Sequence, residues 1–110
     1  MLRAGLFRSA VSRAYYAAYA AVTARLVQSG AVHRLDSANP SHRALPAMVE
    51  GNLSGLADWQ RRDLKSTTRR LYETRLDADY RARVEVDREV AVRSLRELAV
   101  TMRLLSGVPG

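Results

Sequence analysis

The fold is decided by the run Ser12-Arg13-Ala14-Tyr15-Tyr16-Ala17-Ala18-Tyr19-Ala20-Ala21-Val22, the least polar and most helix-prone part of the sequence. Alanine dominates this run, and alanine loses no side-chain entropy in a helix. Bulky residues recur at steps of three and four and form one stripe: Phe7, Val11, Tyr15, Ala18, Val22 and Leu26. A second stripe is almost entirely small: Arg13, Ala17, Ala20 and Ala24. A helix that is apolar on nearly every side belongs at the centre of a helical domain.

Three further helices are expected around this central one, which should run from about Arg3 to Gln28. A short helix is predicted from Ser41 to about Gly51, kinked by a proline or beginning near it, at Pro46. Longer ones are predicted from about Leu56 to Asp79, and after an N-cap at Asp87. The last has an apolar seam at three- and four-residue steps: Ala91, Leu95, Leu98, Met102 and Leu105. We therefore predict one all-α domain over residues 1–110, an antiparallel up-and-down bundle of about four helices.

Composition limits the chemistry that this domain can perform. The chain has 110 residues, 47% of them hydrophobic, and no cysteine, so disulfides and thiolate metal sites are excluded. Its two histidines do not form a zinc site by themselves, and we predict no metal and no cofactor. No apolar run approaches the roughly 20 residues that span a bilayer, and no signal-peptide pattern is visible. These features predict a cytoplasmic protein without a membrane partner.

The chain is strongly basic, with a net charge of +7, and arginine supplies 17 of its 18 basic residues. This bias reflects either a GC-rich genome or an acidic partner such as a nucleic acid, a nucleotide or an acidic protein. The densest positive run is a basic strip of five residues: Arg61, Arg62, Lys65, Arg69 and Arg70. It is either a solvated helix face or a strip that follows phosphates. Because its residues fall on more than one side of the helix, the second interpretation is weakened.

Arg13 is the one charge inside the apolar run, so it needs either a partner or a route to water. The stretch 71–80 offers Asp79, with Arg75 one turn before it and the Tyr80 hydroxyl after it. In one interpretation these residues form a buried polar cluster in which Asp79 binds Arg13 or Arg75. In the other they form a nucleotide or RNA pocket, with both arginines as anion clamps and Tyr16 or Tyr80 stacking on a base.

The two stretches together resemble the HEPN superfamily, and in particular its small stand-alone bacterial and archaeal members. The resemblance lies in S-R-A-Y-Y-A-A-Y from Ser12 and L-Y-x-x-R-x-x-A-D-Y from Leu71, with N-P-S-H at residues 39–42 between them. It covers roughly Ser9 to Leu105. It implies a nucleotide-binding, RNA-binding or scaffold component of a two-gene system of the toxin–antitoxin type, whose partner is a minimal nucleotidyltransferase.

Many HEPN proteins are metal-independent ribonucleases, and their signature is an arginine followed after four to six residues by a histidine. This chain lacks that spacing, since seven residues separate Arg25 from His33 and Arg34 from His42. The absence argues against catalysis. The alternative is a divergent ribonuclease toxin that uses Arg75, Tyr80 and His42. Otherwise His42 is expected to be a capping or surface residue, and Trp59 a packing anchor.

Family members usually carry another helix before the R-A-Y-Y-A segment, and here only a few residues precede it. Either that helix is shortened or the sequence begins late. Four apolar side chains would then lack a cover: Leu2, Leu6, Phe7 and Val11. We therefore predict a homodimer with a largely apolar interface that involves helix one.

Overall fold

A computed structural model describes residues 2–28, 42, 45–53 and 55–106 of the chain. This part contains the helices α1 (Leu2–Gln28), α2 (Leu45–Asn52), α3 (Asp58–Tyr80) and α4 (Arg88–Leu105), and its residues form no strand. The predicted all-helical class is therefore confirmed for these residues. Three of the helices are long and α2 has only eight residues, so the complete four-helix bundle of the HEPN type stays a prediction.

The helix ends follow local chemistry. The backbone N–H of Val90 donates to the Asp87 carboxylate at 3.0 Å, so the predicted N-cap of α4 is confirmed. At the start of α3 the Gln60 side chain accepts a hydrogen bond from the backbone N–H of Ala57 at 2.9 Å. The predicted start of the short helix at Ser41 lies outside the described residues. Within them α2 begins at Leu45, which places Pro46 in the first turn, where a missing N–H breaks no helical bond.

The core clusters show how the long helices run. Near one end of the molecule Val11 of α1 shares a cluster with Ala78 at the end of α3 and Ala91 at the start of α4. A larger cluster joins the end of α1 to α2, the first half of α3 and the end of α4: Val22, Leu26, Leu45, Val49, Leu53, Leu56, Leu64 and Leu105. Consequently α3 runs antiparallel to α1 and α4, which point in the same direction.

Two sequence-based expectations about apolar residues are corrected here. Val11 is fully buried, and Phe7 packs against the same cluster, so both are covered within the chain and need no partner for that purpose. Leu6 is 66% exposed, as expected, whereas the Leu2 side chain lies outside the described part. Trp59 is 62% exposed and is therefore not a packing anchor, because it lies on the face of α3 that points away from the core.

Candidate functional site

The centre of the candidate site is the guanidinium of Arg75, on the second-last turn of α3. Arg75 is only 8% exposed. Its guanidinium carbon lies 5.9, 5.1 and 5.0 Å from the ring centres of Tyr15, Tyr16 and Tyr80, which is within the range of cation–π attraction. Its Nη2 donates to the Tyr16 hydroxyl at 2.5 Å and to the Tyr80 hydroxyl at 3.2 Å. A single cation therefore fixes two tyrosine rings from different helices.

Asp79 supplies the countercharge, one turn after Arg75 on the same helix. Its Oδ2 lies 2.8 Å from the Arg75 Nε and also accepts a hydrogen bond from the Ser12 hydroxyl at 3.3 Å. The Nε–H does not point at an acceptor within the described part of the chain, so this contact is an ion pair without a well-aligned hydrogen bond. Burial lowers the pKa of Arg75, but Tyr16, Tyr80 and Asp79 outweigh that effect and hold the pKa above its usual value.

The structure separates the two arginines that the sequence had grouped. Asp79 pairs with Arg75, whereas Arg13 is exposed on α1 and has no ion pair or side-chain hydrogen bond with any described residue. A buried pair of Asp79 and Arg13 is therefore wrong. Arg13 follows the solvated side of α1, and it precedes Tyr16 by one turn. It can still attract an anion towards the site from outside.

His42 joins the site from the segment before α2 and lies among tyrosine rings. Its Nδ1 is 2.5 Å from the Tyr15 hydroxyl oxygen, and its ring centre is 4.4 Å from that of Tyr19. The ring of Tyr72 lies parallel to it at 6.2 Å, with an angle of 5° between the two planes. His42 is half-buried in this cluster. His42 therefore has aromatic partners that the expected capping or surface role did not include, and a capping contact would involve residues outside the described part.

The protonation states within this cluster follow from burial. Burial, and then the charge of Arg75, lower the pKa of His42, so its imidazole is neutral at pH 7. Burial, and then Tyr19, raise the pKa of Tyr15, so its hydroxyl keeps its proton. We infer that the Tyr15 O–H donates to Nδ1 and that His42 carries its own proton on Nε2.

Stability should therefore depend on pH through His42. The folded protein holds the pKa of His42 below the unfolded value of about 6.5, so the unfolded chain binds more protons in the interval between the two values. The contribution of His42 to the free energy of unfolding should be fully present above about pH 6.5. It should decrease as the pH drops towards the pKa of His42 in the folded protein. Urea unfolding of the parent and of His42→Phe at a series of pH values from about 7.5 to about 5 measures this dependence. If the free energy of unfolding depended on pH equally in both proteins, the lowered pKa of His42 would be contradicted.

The basic strip of α3 is not a single surface. Arg61 donates to the carbonyl oxygen of Leu56 at 3.0 Å and to the Asp58 carboxylate, and it thereby closes the turn before α3. The Arg70 Nε donates to the Glu97 carboxylate at 2.6 Å and ties α3 to α4. Only Arg62 and Arg69 are fully exposed without such bonds to described residues, and Lys65 is half-buried. Two of the five residues thus already bind other groups of the protein, and a phosphate-following strip made of all five stays a prediction that these contacts weaken.

Arg8 is a structural residue that sequence reasoning missed. Its guanidinium donates to the carbonyl oxygens of Asp77 and Ala78, each at 3.0 Å, and to those of Ala82 and Val84 in the loop that follows. It thus satisfies carbonyl groups that the end of α3 leaves without helical partners. The available signal was the position of Arg8, one turn before Ser12 and two turns before Tyr15 on the face that meets α3. This contact holds Tyr80 and the turn after it beside α1.

Comparison of the chain with protein-family models, with curated proteins and with solved structures finds no match. Among the residues that the structure describes, no three side chains of histidine, cysteine, aspartate or glutamate come together as a metal-ion site would require. In the same part of the chain, no helix has both the length and the apolar character needed to cross a membrane. The function is therefore inferred from the geometry around Arg75 and from the resemblance in the two sequence stretches.

Proposed function

We propose that this chain is an RNA-binding, HEPN-like component of a two-gene system of the toxin–antitoxin type, that it acts in the cytoplasm, and that it does not cleave RNA. The observation that carries the proposal is the position of a buried cation, Arg75, beneath two tyrosine rings that reach the surface. Tyr16 is 43% exposed and Tyr80 is 69% exposed. The resemblance of both sequence stretches to the HEPN superfamily supports the assignment to a two-gene system of the toxin–antitoxin type.

The two tyrosines are suited to hold a base. Both hydroxyls accept hydrogen bonds from Arg75, so the rings are held in place before any ligand arrives. Stacking of a base on an aromatic ring contributes about 1–3 kcal/mol and tolerates any base. Because Asp79 largely neutralises Arg75, attraction for phosphate comes from exposed residues such as Arg13 and from the net charge of +7.

The same contacts argue against catalysis. Cleavage of RNA without a metal needs a group that moves the proton of the 2′-hydroxyl and a cation that meets the charged phosphate. Arg75 directs its Nη2 towards two tyrosine hydroxyls and pairs its Nε with Asp79. His42 has its Nδ1 engaged by Tyr15. Each group therefore has at least one nitrogen committed to a neighbouring side chain.

One observation favours the alternative, a divergent ribonuclease toxin. His42 is neutral, half-buried and close enough to Arg75 for the guanidinium to lower its pKa. The structure therefore places a histidine near an arginine by way of the fold, although the usual sequence spacing is absent. A neutral imidazole can transfer a proton at neutral pH if its other nitrogen reaches the substrate.

The deciding experiment mixes purified protein with labelled single-stranded RNA in the absence of metal, and follows binding by anisotropy and cleavage on a gel. We expect sequence-independent binding that weakens steeply with salt, and intact RNA. The variants are His42→Ala and, as the matched control, His33→Ala, which removes the other histidine of the chain. Cleavage by the parent and by the control, lost in His42→Ala, would establish the ribonuclease. Absence of any binding would overturn the proposal.

The proposal includes two protein partners. We infer a homodimer through helix one, now based on the exposed Leu6 and not on Phe7 or Val11, and a minimal nucleotidyltransferase encoded by a neighbouring gene. The first is tested by light scattering, where a monomer at high micromolar concentration would exclude the homodimer. The second is tested by co-purification with the product of the neighbouring gene.

A further inference from the structure

One face of α3 carries an aromatic residue at each end and basic side chains in its first half. Trp59, Arg62, Ser66 and Arg69 follow each other at steps of three and four residues, and all are exposed. The same face continues through the next three turns to Tyr80, which belongs to the site described above. From Trp59 to Tyr80 the helix rises by about 30 Å. The most exposed tryptophan and tyrosine of the described residues thus mark the two ends of one helical face.

Two exposed cations lie on this face, and the exposed Asp63 lies beside it. Arg62 and Arg69 have no ion pair with any residue that the structure describes. The carboxylates in the second half are engaged, because Arg81 lies 2.9 Å from Asp77 and 3.8 Å from Glu73. A ligand that follows the face therefore meets an aromatic ring, then two guanidinium groups, then two carboxylates paired with Arg81, and finally the tyrosine that Arg75 orients.

We propose that this face is a track for single-stranded RNA, so that the site at Tyr16 and Tyr80 takes a strand of several nucleotides and not a mononucleotide. This inference depends on the proposed function of that site. Exposed aromatic rings bind bases of any identity by stacking, and arginines between them pair with the backbone phosphates. A face that binds a protein helix would be continuously apolar at its centre, whereas the middle of this face is polar: Ser66, Arg69 and Glu73.

Trp59 is the only tryptophan in the chain, so intrinsic fluorescence reports on one end of the track. The probes are uridine monophosphate, a uridine trimer and a uridine dodecamer, titrated at low salt. We expect the dodecamer to change the Trp59 emission and to bind at least tenfold more tightly than the two short probes. We expect Tyr80→Ala to weaken that binding while leaving the free protein's emission unchanged.

Two matched double variants each replace a pair of exposed arginines by glutamine. Arg62→Gln with Arg69→Gln should lower the salt dependence of dodecamer binding by about 1.4 in the slope of log K against log salt, since each lost phosphate contact removes about 0.7. Arg88→Gln with Arg96→Gln on α4 has the same loss of charge away from the track and should leave the Trp59 response unchanged.

The outcomes separate the two proposals. If uridine monophosphate and the dodecamer bound with equal affinity and the Trp59 emission did not change, the proposed track along α3 would be overturned. The proposed site at Tyr16 and Tyr80 would stand. A Trp59 response to the dodecamer that survives Tyr16→Ala and Tyr80→Ala would support a nucleic-acid face and overturn the site's role. An effect of the α4 pair as large as that of the α3 pair would mean that net charge alone drives binding, and it would overturn the track. No binding of any probe would overturn both proposals.

Discussion

Replacement of Asp79 by alanine is expected to lower the free energy of unfolding by about 2–3 kcal/mol. The change removes the only carboxylate within ion-pair distance of the buried Arg75 among the described residues. Removal of one partner from a fully buried pair costs about 3–5 kcal/mol, and we expect less here because solvent reaches Asp79 and the tyrosine contacts of Arg75 remain. Urea unfolding at neutral pH measures the loss.

Asp77→Ala is the matched control for this experiment. Asp77 makes the same type of pair, four residues from an arginine, but its partner Arg81 is half-exposed. Such surface pairs contribute about 0–1 kcal/mol. The double variant Asp79→Ala with Arg75→Met should recover part of the lost stability, since no buried charge is then left without a partner. Equal small losses in Asp79→Ala and Asp77→Ala would show that the cluster is solvated.

Replacement of Tyr80 by alanine is expected to weaken binding of single-stranded RNA by roughly 5- to 100-fold, the equivalent of losing one stacked base. Tyr80 is 69% exposed, so its removal should leave the fold intact. Tyr16→Ala should act in the same direction, because its ring is the second surface over Arg75. Anisotropy titrations at one fixed salt concentration measure both effects, with thermal melts to confirm folding.

Two further variants make this prediction specific to stacking. Tyr80→Phe keeps the ring and loses only the hydrogen bond from Arg75, so it should bind within a few-fold of the parent. Leu95→Ala removes a large apolar side chain that is half-exposed on α4, and it should change nothing. Unchanged affinity in Tyr80→Ala, or an equal loss in Leu95→Ala, would count against a stacking site at this position.

Much of the fold could be predicted because its determinants are local. The alanine-rich run, the proline in the short helix and the short carboxylate of Asp87 all act within a turn or two of their own position. Helix bounds were accordingly close: α3 begins at Asp58 and not at Leu56. The difference arises because Leu56 lies in the loop before α3, where its side chain is buried in the larger core cluster, and Ala57 takes the N-cap position.

The site was predicted in part. Contacts between residues that are close in sequence were predicted, and contacts between distant residues were not. The pair of Arg75 and Asp79 lies four residues apart on one helix, so spacing was enough to suggest it. The contact of Tyr15 with His42 spans 27 residues, and its geometry depends on how the segment before α2 meets the bundle. No period in the sequence carries that information.

The exposure of Arg13 and Trp59 was also not predicted from the sequence. Arg13 stands inside an apolar run, which left open whether it has a partner or reaches water, and Trp59 was placed by spacing on an apolar edge of its helix. The side of a helix that meets the core is fixed by the packing of all the helices, and the small stripe of α1 and the outer face of α3 both point to solvent. The exposure of Trp59, which sequence did not indicate, is what extends the candidate site along α3.

The central claim is that RNA lies against the tyrosine rings over Arg75. The most direct test is photo-crosslinking of single-stranded RNA that contains 4-thiouridine, followed by mass spectrometry of the modified peptides. We expect adducts on Tyr16 and Tyr80, and on Trp59 when the strand is long, all suppressed by excess unlabelled RNA. Adducts confined to the exposed face of α4, or spread evenly over the arginine-containing peptides, would contradict the claim.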